Sequence, residues 1–151
     1  MALSQQHEIP AAPSGIRIPA GYKDWRVISP SHRDDNNTIR VVLGNDIAVH
    51  AAREGKTNPW PEGSILAKLV WKNRKHPDWE MATIPADFVH AEFMIKNSTA
   101  YDSTGGWGFA RWTGLELKPY GKDALFVQQC FDCHTPVKDN DYVFTYPAIL
   151  P

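Results

Sequence analysis

The chain holds only two cysteines and three methionines in 151 residues, and it has no excess of either charge. With 16 basic and 17 acidic side chains the formal net charge is −1, so no global field favours nucleic acid or anionic lipid. No apolar run approaches the roughly 20 residues that a membrane-spanning helix needs, so no membrane span is expected. The opening Met1-Ala2-Leu3-Ser4-Gln5-Gln6-His7 lacks the basic and hydrophobic regions of an export signal. Neither an internal repeat nor a low-complexity segment is present, which sets aside solenoid and propeller arrays. At this length one domain with a substantial core is expected.

Where cysteine is scarce, its placement is informative. Both residues fall in Cys130-Phe131-Asp132-Cys133-His134, and C-x-x-C-H is the pattern of c-type haem attachment. Thioethers from Cys130 and Cys133 reach the two vinyl groups on one edge of the porphyrin, and the adjacent His134 turns under the ring to bind iron. A thioredoxin-like redox couple needs a βαβ context, and a zinc site needs four ligands. Neither is evident, since there is no second C-x-x-C and His7, His32, His50, His76 and His90 are scattered. A disulfide closing so short a loop would be strained. The expected cofactor is one haem c per chain, held by Cys130, Cys133 and His134. Such attachment normally occurs outside the cytoplasmic membrane, so the expected location is periplasmic, with the export signal already removed. Six Trp, six Phe and five Tyr suit packing around a flat macrocycle, and equally suit an ordinary core.

The first twenty or so residues, broken by Pro10, Pro13, Gly15 and Pro19, read as an extended tail over 1–21, with the domain spanning 22–151. Trp25 to Ser29 and Ile39 to Leu43 read as strands, separated by the polar stretch Ser31 to Asn37. Asp46 is placed to cap a helix ending at Gly55. Ile65 to Trp71 alternates, with Leu66, Lys68 and Val70 on one face; in Phe88 to Ile95, Phe88, His90, Glu92 and Met94 share a face. Trp107 to Trp112 reads as a further strand. Ala124 to Phe131 reads as a short helix delivering the C-x-x-C-H motif, stopped by Pro136. Tyr142 to Tyr146 reads as a last strand or a packed tail.

Strands upstream of a C-terminal C-x-x-C-H are unlike the helical build of most small c-type carriers. Tyr22-Lys23-Asp24-Trp25, Arg40-Val41-Val42-Leu43-Gly44-Asn45-Asp46, Ala52-Arg53-Glu54-Gly55-Lys56, Trp60-Pro61-Glu62-Gly63 and Thr104-Gly105-Gly106-Trp107-Gly108-Phe109 add a distinctive set. With the segment from Cys130 through Pro136 to Phe144, the chain resembles the cytochrome P-460 family, which includes the β-type relatives of cytochrome c-prime. The resemblance runs nearly unbroken from Tyr22 onward. It implies a mainly β (α+β) fold: an antiparallel β-sheet domain with a few short helices and a C-terminal haem-attachment helix. It also implies a homodimer, with His134 as proximal ligand and an open distal side. In the named enzyme of the family a strand lysine is bonded to the porphyrin, and the cofactor oxidises hydroxylamine to nitrous oxide or nitrite through nitric oxide chemistry. Lys68 is similar in position to that lysine, which would make the cofactor a lysine-modified P-460 type haem. The related gas-binding cytochromes share the fold without that bond.

Elementary chemistry gives the same residues roles to be tested. An apolar strand face would disfavour the charged form of Lys68 and leave an amine able to attack an oxidised porphyrin carbon; snorkelling to solvent is the ordinary alternative, and Lys72 is a second candidate on that face. Burial would raise the proton affinity of Glu92 and suit it to proton transfer, against an ordinary salt bridge. Arg40 is a candidate support for a haem propionate or for Glu92, or a surface pair. Met81, Met94, His90 and His32 are the candidate sixth ligands that would close the iron. Phe88, Phe93, Trp107 and Phe109 are candidate haem-packing residues, and Gly105 and Gly106 permit either close approach to the cofactor or a tight turn.

The leading expectation is a haem enzyme that oxidises hydroxylamine at an open iron, with Lys68, Glu92 and Arg40 in the catalytic environment and an external redox partner such as a soluble cytochrome. The alternatives are a five-coordinate protein that binds nitric oxide or carbon monoxide without turnover, and a six-coordinate electron carrier.

Overall fold

The computed structural model describes residues 8–151, so the first seven residues of the expected tail lie outside it. β-branched and aromatic residues in alternation form six strands: β1 (Arg26–Arg33), β2 (Thr38–Gly44), β3 (Ile65–His76), β4 (Trp79–Lys96), β5 (Trp107–Thr113) and β6 (Lys118–Pro119). They make one sheet in the order β1-β2-β3-β4-β5-β6, each strand antiparallel to its neighbour. Two helices interrupt the meander, α1 (Asp46–Glu54) between β2 and β3, and α2 (Phe126–His134) after β6. The fold is therefore mainly β, as the sequence predicts.

The alternation sorts the core into two layers. On one face Leu43, Ala67, Ala91, Phe93, Ala110 and Trp112 pack with Ala12, Ile16 and Tyr22. The irregular stretch 8–21 is thus laid against the sheet, and the Trp112 indole donates to the Pro10 carbonyl at 2.9 Å. On the other face Ile28, Val42, Leu66, Trp107 and Phe109 meet α1, Trp60 and Val143, with Cys130 and Phe131 of α2 packed against them. Trp107 and Trp112 are fully buried, one per layer, and truncating either would cost about 3–5 kcal/mol.

Several local expectations shift. The cap of α1 is Asn45, not Asp46: its Oδ1 accepts from the Ala48 N–H at 3.1 Å, and Gly55 closes the helix in the left-handed region. Ser31 to Arg33 belong to β1, because they pair with Arg40, Ile39 and Thr38. The β3–β4 hairpin runs well past the expected strands, and its Trp79 and Met81 stand exposed. A bulge in β4 sets Val70 opposite His90 but Trp71 opposite Phe88, so Phe88 turns away from His90, Glu92 and Met94 and packs edge-on against Trp71. The helix runs on to His134, past the expected end at Phe131, so the whole C-x-x-C-H motif lies inside α2, and the chain continues through a 3₁₀ turn at Thr135–Asn140 that carries Pro136. Tyr142 to Tyr146 form a tail rather than a strand, with Tyr142 and Val143 packed against the core and Phe144 and Tyr146 exposed.

Candidate functional site

Residues four apart share a helix face, so Phe126, Cys130 and His134 of α2 point the same way, with Cys133 beside them. All four line a cavity of about 900 Å³ between α2 and the second face of the sheet. The sheet wall is built in rows of cross-strand partners. Leu66, Met94 and Phe109 form the row beside His134, whose imidazole lies 5.3 Å from the Phe109 ring. Val42, Lys68, Glu92 and Arg111 form the next, and Arg40, Val70 and His90 the third. Successive rows step away by about 7 Å, two residues along a strand.

Glu92 is the hub of the middle row. Both Lys68 and Arg111 form ion pairs with its carboxylate, and the His90 Nε2–H donates to Oε1 at 3.1 Å. Only 18% of its side chain is exposed. Burial alone pushes its carboxyl up, but the His90 hydrogen bond and the Lys68 and Arg111 charges outweigh it and hold Glu92 well below the usual carboxylate range. The expected rise in proton affinity is thus reversed, because strand alternation reveals the apolar neighbours of Glu92 but not its cross-strand cations. Lys68, likewise, is ion-paired rather than set in an apolar face. Lys72 is exposed at the cavity's edge.

Arg111 is a site residue that sequence reasoning missed, although its place between Ala110 and Trp112 on an alternating strand was the available signal. Its guanidinium lies over the Tyr120 ring at 4.8 Å. Arg40 lines the same cavity and forms no ion pair with Glu92 among the described residues; its Nη2 donates to Thr38 Oγ1 at 2.5 Å. Burial, reinforced by the Arg33 charge, pulls its guanidinium below its ordinary value.

His134 is prepared as a ligand. A carbonyl can only accept, so its 2.6 Å contact with the Tyr142 carbonyl means that Nδ1 carries the proton and Nε2 keeps its lone pair. Burial pulls its pKa down, which also favours neutral imidazole. The Phe144 ring packs 5.1 Å from it. Burial pushes the Cys130 thiol up to about 11, while Cys133 is exposed.

The other candidate ligands separate cleanly. Met81 is 83% exposed on the projecting hairpin and outside the cavity. Met94 lines the cavity in the same row as Phe109, the ring that packs 5.3 Å from His134. His32 has one ring nitrogen 2.6 Å from Asn73 and the other 3.0 Å from Asp34, and His90 is engaged by Glu92. Of the four aromatic candidates, Phe109 and Phe93 line the cavity, though Phe93 sits mainly in the opposite layer; Phe126, Tyr120 and Phe144 line it too, which alternation along the strands does not indicate. Gly105 makes room for the Tyr142 ring rather than for the cavity.

A c-type haem fits these residues. The two thiols are one helical turn apart beside the imidazole, the cavity is of the size that holds cofactors, and the buried Nε atoms of Arg40 and Arg111 lack partners within the protein, as donors awaiting an anion would. Two cations against one anion in the middle row, with Arg40 added, suit acidic propionates. Among the described residues no helix is long and apolar enough to cross a membrane. Residues 19–145 match the family model described as Cytochrome P460. No curated protein matches the chain.

Proposed function

The chain belongs to the cytochrome P460 family, which implies a haem cofactor, and from that premise we propose a periplasmic c-type haem enzyme that oxidises hydroxylamine. The observation that carries this reading is the Lys68–Glu92–Arg111 row facing the same cavity as Cys130, Cys133 and His134. Cys130 and Cys133 would hold the haem through thioethers, and His134 would bind its iron through Nε2. A haem held there would supply redox chemistry to a small ligand in the cavity. Val70, His90 and Arg40 line the side away from His134, where a small amine would enter. His90 hydrogen-bonds its incoming O–H or N–H groups, while Glu92, kept anionic, orients His90 and Lys68. The electrons removed from hydroxylamine would pass to an external acceptor such as a soluble cytochrome and the protons through the polar row, with nitrous oxide or nitrite as the product. Lys68 is the residue for a third tether to the porphyrin. The exposed apolar Trp79 and Met81 on the projecting hairpin support a homodimer.

The haem-loaded protein is expected to reduce an electron acceptor in a hydroxylamine-dependent way; no such reduction from a fully loaded sample refutes the reading. The Lys68–Glu92 ion pair favours a second reading, in which the lysine serves only as a counterion and the protein binds nitric oxide or carbon monoxide without turnover. Mass spectrometry of the tryptic haem peptide separates the two. A tether through Lys68, with a strongly red-shifted Soret band, supports the oxidase, and its absence supports gas binding.

A further inference from the structure

Lys96 and Asp141 are buried to 7% and 8% exposure, away from the polar row, and the chemistry above makes no use of them. Lys96 Nζ donates to both carboxylate oxygens of Asp141, at 2.8 and 2.9 Å, and sits 5.0 Å from the Trp107 ring centre. A buried ion pair is weak grounds for stability, since apolar groups of the same size usually do as well. What this pair holds is backbone. Asp141 and the following Tyr142 both have left-handed φ, 52° and 62°, which is uncommon for two successive residues with side chains.

Further contacts fix that turn. The Trp60 N–H donates to Asp141 Oδ2 at 2.9 Å, and the Trp107 indole N–H donates to the Asp141 carbonyl at 2.8 Å. The Tyr142 N–H donates to the Val137 carbonyl at 3.0 Å. The Tyr142 ring lies over Gly105, where a Cβ would come within 2.5 Å of it. All of these converge on one atom, the Tyr142 carbonyl oxygen that accepts from His134 Nδ1 at 2.6 Å.

We infer that Asp141, clamped by Lys96, is a positioning residue that locks the Tyr142 carbonyl and so sets the ring orientation and donor strength of His134. The inference rests on the reading that His134 binds haem iron. A firm acceptor on Nδ1 makes Nε2 a better electron donor and favours the ferric state. With the clamp broken, the left-handed pair relaxes, the carbonyl turns from the ring, and the imidazole donates less.

The test uses the haem-loaded protein with Asp141→Asn, Lys96→Met and Trp107→Phe, which keeps the ion pair and removes the donor to the Asp141 carbonyl along with part of the ring against which Lys96 packs. The readouts are the iron–histidine stretching band of the ferrous protein by resonance Raman and the midpoint potential. The band is expected to move to lower frequency and broaden, and the potential to rise, in Asp141→Asn and Lys96→Met, with a smaller shift in Trp107→Phe. Ile28→Ala, in the core of β1, should lose stability and leave both readouts unmoved. If Asp141→Asn and Lys96→Met do not accumulate, Trp107→Phe alone decides. Variants that unfold earlier but keep the wild-type band and potential overturn the inference and leave a purely structural pair. A wild-type protein with no iron–imidazole band refutes instead the assignment of His134 to iron.

Discussion

Replacing Glu92 with Gln tests whether the carboxylate holds the middle row together. The substitution keeps the size and one acceptor oxygen but removes the charge, leaving Lys68 and Arg111 aimed at the same point from either side. Two unit charges roughly 5 Å apart repel by about 1–3 kcal/mol between the dielectric limits of water and a protein surface. Their side chains are 30% and 29% exposed, so solvent screens part of this. The weakened hydrogen bonds add about 1 kcal/mol, giving an expected loss of about 2–3 kcal/mol at neutral pH. Urea titration of the haem-loaded proteins measures it.

The pH dependence supplies a second, independent check. Folding holds the Glu92 carboxyl well below its ordinary value, despite burial, through His90, Lys68 and Arg111. In acid the unfolded chain therefore binds a proton that the native state does not. The stabilisation is fully present above the unfolded value near 4.3 and declines as pH falls through the folded one. Between pH 7 and pH 3.5 the wild type should lose about 1 kcal/mol of its advantage over Glu92→Gln, from the 1.36 kcal/mol that each pH unit below 4.3 is worth. A deficit under about 0.5 kcal/mol at pH 7, or one unchanged at pH 3.5, would refute the electrostatic account, since surface substitutions alone stay within that range.

Two other substitutions probe the frame and the open iron. Asn45→Ala removes a side chain whose Oδ1 accepts from both Ala48 N–H and Ile65 N–H and whose Nδ2 donates to the Gly63 carbonyl. It should cost about 2 kcal/mol, seen as a fall in Tm of roughly 5 °C. Met94→Leu should leave the ferrous absorption spectrum unchanged, because Met94 shares its row with Phe109, the ring that packs against His134; loss of a sulfur-ligand signature would mean that the sixth position is closed in the wild type.

Features encoded over short spans are legible in the amino-acid sequence alone. The thiol spacing and adjacent imidazole of Cys130 to His134 point to a haem attachment, because covalent chemistry dictates that spacing. Alternation correctly groups Leu66, Lys68 and Val70 along β3 and His90, Glu92 and Met94 along β4, and the register brings the two groups to the same face of the sheet. Pairwise relations are not legible in this way. That Glu92 lies between Lys68 and Arg111 depends on the register of β3, β4 and β5, and the bulge that turns Phe88 away depends on how β4 fits β3. The same limit explains the wrong sign for Glu92: burial is visible along its own strand, whereas the opposing charges come from neighbouring strands. Lys96 and Asp141 are invisible as a pair because 45 residues separate them.

These two kinds of information map onto two parts of the site. The groups proposed for attachment, Cys130, Cys133 and His134, sit on one short helix, so their arrangement follows from local spacing and depends little on the sheet. The polar row sits on three strands of a rigid sheet, so its charge pattern follows from register. Replacing Lys68 would leave Glu92 paired with Arg111 and His90 and the strands still in register. The chemistry at the haem edge is therefore open to change at one position without rebuilding the fold. That separation lets one sheet accommodate either role proposed for Lys68, a porphyrin tether or a counterion.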